Sequence, residues 1–208
     1  MAVDNAGFNK LIQGFFVDTF WFAQQACSSP RMIAWVGGEA DVELAKMRFW
    51  PALAKEVEAR GAENTPSMVM ARLGAAFQYA AHGIAELSIE TKPNDFPAKL
   101  ELSTNRLTEI REIHCGNGLF LEMRIKTLAE LGPKLTDKEQ TLSVFGFEEQ
   151  DYLSLIATLQ TRALDRMVPV GTALAFEQVW DGQDLITSFT RLVVWPQLNE
   201  GQPIGAVS

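Results

Sequence analysis

The sequence predicts an all-α fold, a single-domain helical bundle of about eight helices around a central buried helix at residues 65–91. Three stretches carry that expectation. From Thr65 to Glu90 almost no face is left for water. Gly7–Cys27 is an apolar amphipathic helix, and Glu148–Met167 is a second one with clean helical periodicity. The alternative it admits is a small β-hairpin near the C-terminus.

The central helix starts at Thr65-Pro66, where a hydroxyl caps an early N–H and proline loses nothing at the first helical position. It stops at Lys92-Pro93. At about 100° per residue, Val69, Leu73, Ala76, Phe77, Ala80, Ile84 and Leu87 share a large-residue face. Ala71, Gly74, Ala75, Gln78, His82 and Ala85 form a small one, and Arg72, Tyr79, Glu86 and Glu90 are left as a narrow polar stripe.

The remaining elements follow in order. In Gly7–Cys27, Phe8, Leu11, Ile12, Phe15, Phe16, Phe22 and Ala26 lie in one arc, with Lys10, Gln13, Asp18 and Gln25 opposite. Val17 and Trp21 break the pattern by projecting from the polar side. Ser28-Ser29-Pro30 starts a short helix, Arg31–Val36, closed by Gly37-Gly38. Glu39–Arg60 begins with acidic residues that suit the helix dipole, is kinked or split by Pro51, and offers Glu56 and Arg60 as an i,i+4 pair. Asp95 and Pro97 open a helix running to Cys115, and Asn117 caps the next, Gly118–Leu131, which ends at Gly132-Pro133.

Thr136 and Glu139 form a capping box for a helix that breaks near Gly146. Glu148–Met167 then places Tyr152, Leu153, Leu155, Ile156, Leu159, Ala163 and Leu164 inside. Ala173–Trp195 admits two readings: two short helices with Asp184 as a cap, which we favour, or a hairpin turning at Asp181-Gly182. Residues 1–195 are thus expected to form one all-helical domain, with 196–208 as a loose tail.

Composition bounds the function. A hydrophobic fraction of 47% and a charged fraction of 21% in 208 residues describe an ordinary globular chain. The net charge of −8 argues against a phosphate-binding surface and against anionic lipid. No signal segment or membrane-spanning run is visible, so a cytoplasmic protein without membrane insertion is expected. Cys27 and Cys115 read as free thiols.

No signature of catalysis appears, and no catalytic residue or metal ligand is assigned. His82, Glu86 and Glu90 at i,i+4 steps resemble metal ligands in spacing only. His114 and Cys115, adjacent on a helix, point about 100° apart and make a poor nucleophile–base pair. The small face of the central helix puts Gln78 and His82 in a tight contact where they need partners, which makes them, with His114, the candidates for holding a small ligand. No cofactor is called for. Val17 and Trp21 are the candidate interface. The expectation is a non-catalytic adaptor or assembly subunit that binds a protein partner or a second copy and no nucleic acid; the alternative is a helical-bundle enzyme or ligand binder using Gln78, His82 and His114.

Overall fold

Where a bundle was expected, parallel strands stand at the centre. The computed structural model describes residues 4–85, 95–103 and 107–195, and among these the chain is mixed α/β, with seven strands in three sheets. In chain order the elements are α1 (Asn5–Phe20), β1 (Met32–Val36), α2 (Glu39–Ala59), α3 (Pro66–Ala81), β2 (Ala98–Glu101), α4 (Leu107–Ile113), β3 (Leu119–Ile125), a 3-10 helix (Leu128–Lys134), β4 (Thr141–Val144), α5 (Glu149–Thr158), β5 (Arg166–Pro169), β6 (Val179–Trp180), β7 (Gln183–Asp184) and α6 (Leu185–Phe189).

β3 explains the error in fold class. It is the middle strand of a parallel sheet ordered β1-β3-β2, and six of its seven residues are buried. A parallel strand covered on both faces reads as a continuous apolar run, which spacing alone does not separate from a buried helix. The expected helices Arg31–Val36, Gly118–Leu131 and Pro97–Cys115 are corrected accordingly: the first is β1, the second is β3 followed by the 3-10 helix, and the third is β2 and α4.

Two cores lie on opposite faces of this sheet. Ile12, Phe15, Phe16 and Phe20 of α1 and Phe49, Trp50 and Leu53 of α2 pack with Phe120, Ile33 and Trp35. On the other face, Ala75, Ala76 and Tyr79 of α3, Ile110 of α4, Leu131 of the 3-10 helix and Leu155 of α5 pack with Leu119, Leu121 and Met123. Alternate residues of one strand thus serve alternate layers, the arrangement of a three-layer α/β/α fold. β4 and β5 form a separate parallel pair, with α5 as the crossover that parallel pairing requires.

α3 starts as expected, with Thr65 accepting from Met68 N–H, but it ends at Ala81, and Gly83 (φ 65°) turns the chain away. Its expected continuation through Glu86 to Glu90 lies outside the described residues, as does the 196–208 tail. The faces are exchanged only in part, since Ala76 of the large-residue face is buried as expected. Arg72 and Tyr79, assigned to the wet stripe, are both 0% exposed, whereas Phe77 is 61% exposed. Tyr79 Oη donates to Ile110 O at 3.0 Å, and the two terminal nitrogens of Arg72 donate to Asn117 O at 2.7 Å and Asn64 Oδ1 at 2.6 Å, while Arg72 Nε is buried without a hydrogen-bond partner among the described residues.

α2 is one helix through the exposed Pro51, and Arg60 Nε meets Glu56 Oε1 at 2.6 Å, the i,i+4 pair read from the sequence. The Thr136–Glu139 bonds form but lead into β4, so they close a turn and cap no helix. Glu148–Met167 is shortened to α5, with Leu155 buried and Leu153 and Ile156 exposed.

The chain divides into two compact units, Met1–Ala175 and Phe176–Ser208. In the second, β6 and β7 form a hairpin whose central residues, Asp181 (φ 52°) and Gly182 (φ 71°), have the positive φ of a tight primed turn. Asp184 then caps α6 by accepting from Ile186 and Thr187 N–H. Ala173–Trp195 therefore holds a hairpin and one short helix, where two short helices were favoured.

Candidate functional site

Between β1 and β4 lies a cavity of about 660 Å³. One wall is the whole of β1 with the turn that precedes it, Cys27–Arg31; the opposite wall is the run Lys138–Phe147, which contains β4. That preceding turn is built by local conformations few side chains tolerate. Ala23 (φ 50°) and Gln24 (φ 61°) reverse the chain after α1. The buried Gln24 side chain then holds the reversal with three bonds, from Nε2 to Pro30 O (2.8 Å) and Leu119 O (2.9 Å), and from Gly118 N–H to Oε1 (2.8 Å). Gln25 Nε2 adds Cys115 O and Asn117 Oδ1.

His114 lines the same cavity, and its ring is already committed. Nδ1 accepts from Gly116 N–H at 2.9 Å, so Nε2 carries the proton and donates to Leu119 O at 3.1 Å. Burial, with the charge of Arg31 second, pushes its pKa down to about 4, so the ring is neutral near pH 7. Burial likewise pushes the Cys115 thiol up, away from thiolate chemistry. Cys27 is exposed at the cavity wall. Ser29 also lines the cavity, and its hydroxyl oxygen is buried without a hydrogen-bond partner among the described residues.

The other sequence candidates are not gathered here. Gln78 and His82 are exposed on α3 and just beyond its end, because the side of the small face that carries Gly74, Gln78 and His82 turns to solvent while Ala75 turns to the core. Gly74, between them and Met70, meets nothing within 4 Å. The tight helix contact expected at Gln78 and His82 is thereby corrected. No cluster of three metal-ligating side chains occurs among the described residues. Val17 is half-buried. Trp21 is 64% exposed and lies with the exposed Phe22 along a second groove, of about 690 Å³, with Phe16, Phe20, Arg60 and Glu63. Because α1 ends at Phe20, Phe22 leaves the arc that periodicity had placed inside.

Three polar residues that matter most were missed. Glu122 Oε1 accepts from both Trp35 Nε1 (2.6 Å) and Trp50 Nε1 (2.9 Å) beneath the sheet. Asp18, read as solvated, is 0% exposed. Its carboxylate accepts from Gly171 N–H (2.7 Å), Ala173 N–H (2.9 Å) and Ser143 Oγ (3.4 Å), and so ties α1 to β4 and the loop after β5. Arg111 forks onto Glu139 and reaches Lys134 O, tying α4 to the segment before β4 on the other face. A sequence signal for the parallel sheet is Met32-Ile33-Ala34-Trp35-Val36, a β-branched and aromatic run bounded by Pro30 and Gly37-Gly38.

No described helix is long and apolar enough to cross a membrane. Compared with known proteins, the chain matches no family model, and no curated protein is similar to it in sequence.

Proposed function

We propose that the chain is a non-catalytic interaction protein of the cytoplasm, an adaptor or assembly subunit that docks a protein partner or a second copy of itself. The observation that carries this reading is the exposed Trp21 beside Phe22 on an aromatic-floored groove rimmed by Arg60 and Glu63. A large aromatic anchor with a polar rim is the usual composition of a binding hot spot. The net charge of −8 favours a protein over nucleic acid as partner. Trp21→Ala is expected to weaken self-association or partner binding by at least about 2 kcal/mol without unfolding the chain. Sedimentation across a concentration series reads this directly, and wild type and variant with the same monomeric profile and no difference in partner binding would remove Trp21 from any interface.

A second reading, a small-molecule binder, draws on the cavity beside β1. The unpartnered Ser29 hydroxyl and the Cys27 thiol on its wall favour it, while both ring nitrogens of His114 are already used. Native mass spectrometry of the purified protein separates the two: a stoichiometric small molecule supports the binder, and co-purifying polypeptide on a bare protein supports the adaptor.

A further inference from the structure

The cavity between β1 and β4 has the form of a missing strand, and its hydrogen-bonding pattern can be derived residue by residue. Leu121 N–H donates to Arg31 O, and Gly37 N–H donates to Ile125 O. Residues of β1 with odd numbers therefore face β3, and the N–H and C=O groups of Met32, Ala34 and Val36 point the opposite way. On the far wall, Arg166 N–H donates to Gln140 O and Val170 N–H to Val144 O, so even-numbered residues face β5. Thr141 and Ser143 then present their backbone groups away from β5. Among the described residues, no backbone bond reaches either set.

Two further observations separate a strand slot from a ligand pocket. The cavity is lined by side chains of both cores, Phe15 and Phe49 from one and Ile110 and Leu131 from the other. A pocket on one face of a sheet touches one core; an opening in the plane of the sheet touches both. The dimensions also agree. Five extended residues are about 16 Å long, about 4.8 Å wide between neighbours and about 10 Å thick between layers, on the order of 800 Å³. The cavity is about 660 Å³.

We propose that β1 and β4 accept between them an extended segment of about five apolar residues from another polypeptide, joining the two parallel sheets into one. This rests on the reading of the chain as a protein that binds proteins, and names the class of partner. Because both faces of the slot are cores, the segment is apolar at successive positions, as strands buried on both sides are. The exposed Arg31 at the start of β1 makes no ion pair with a described residue, while Lys138 is paired with Glu112 and Arg111 with Glu139. The segment therefore carries a carboxylate beside Arg31.

The probe is a capped hexapeptide, Asp-Val-Ile-Val-Ile-Val, added to the full chain and followed by hydrogen exchange and calorimetry. Binding is expected to slow exchange at Met32, Ala34, Val36, Thr141 and Ser143. Ala34→Pro deletes a slot-facing donor while leaving every bond to β3, and is expected to weaken binding at least about tenfold. Trp21→Ala is expected to leave peptide binding unchanged, so a failure of that groove and a failure of this slot are read apart. If Ala34→Pro does not fold, copies of the peptide N-methylated at alternate residues make the same test on the wild-type chain. A peptide that does not bind, that binds without protecting those amides, or that binds equally well after either donor loss overturns the proposal. Occupation by 1-anilinonaphthalene-8-sulfonate with no response to the peptide would assign the cavity to small apolar ligands instead.

Discussion

Removing the Asp18 carboxylate tests whether one side chain holds α1 against β4 and the loop after β5. In Asp18→Ala the Ala173 N–H is left buried without an acceptor, the half-buried Gly171 N–H loses its partner, and the longer Ser143 bond disappears. Hydrogen bonds to a charged group contribute roughly 1.5–3 kcal/mol each, and a stranded buried donor costs about 1–3 kcal/mol. The dehydration of the carboxylate, which is removed with it, offsets part of that loss. The net expectation is a destabilisation of about 2–4 kcal/mol, which at a slope near 2 kcal/mol per molar urea lowers the midpoint by about 1–2 M.

The same group sets a pH signature. Burial, the largest cause, raises the folded-state pKa of Asp18 above 3.8, against the pull of Gly171, Ala173, Ser143 and the charge of Arg166. The folded protein therefore holds this proton more tightly than the unfolded chain. The contribution of Asp18 to stability is complete below pH 3.8 and declines as pH rises through the folded value. Urea titrations followed by circular dichroism from pH 3.5 to 7 should show the difference between wild type and Asp18→Ala shrinking as pH rises. A destabilisation under about 0.5 kcal/mol at every pH would refute the tie, and a difference that grows with pH would mean that the hydrogen bonds to the carboxylate outweigh its burial.

Two further outcomes are expected. His114, with a pKa near 4 against 6.5 unfolded, should show no ring titration by NMR between pH 5.5 and 8, and should cost stability only as pH falls from 6.5 through 4; an inflection above pH 6 would mean the ring is not buried as described. Glu122→Leu leaves two indole N–H groups without their acceptor and should destabilise by roughly 2–4 kcal/mol, whereas Glu122→Gln, which keeps a carbonyl oxygen, should lose about half as much or less. Thermal denaturation with tryptophan fluorescence measures both, and equal losses would mean that Glu122 acts by packing alone.

What was legible in the residues was local. Thr65-Pro66, Asp184 and the Glu56–Arg60 pair all act within a turn of their own position, and each stands where its chemistry put it. The hairpin dipeptide Asp181-Gly182 is local in the same way, although the helical spacing of Ile186, Phe189, Leu192 and Val193 competes with it in the sequence. What was not legible was set by distant partners. β3 has no alternation because both its faces are covered by segments far away in sequence. Arg72, Tyr79 and Asp18 look solvated until the carbonyls and amides that satisfy them, at Asn117, Ile110 and Gly171, are brought alongside. Conversely, Gln78 and His82 lie on a small-residue face of which the core covers Ala75 and leaves Gly74, Gln78 and His82 exposed.

The contact between α1 and the loop after β5 is made by main chain on both sides. A Cβ on Gly14 would stand 2.9 Å from Gly171 Cα and from Val170 O, and one on Gly171, itself at φ 100°, would stand 2.8 Å from Gly14 Cα. Neither position can be relieved by a change at the other, since each obstruction is backbone. Here α1 and the loop after β5 meet at a separation that the two main chains set: side chains on the inner face of α1 can be exchanged at some loss of stability, while any side chain at Gly14 or Gly171 would have to push the two backbones apart.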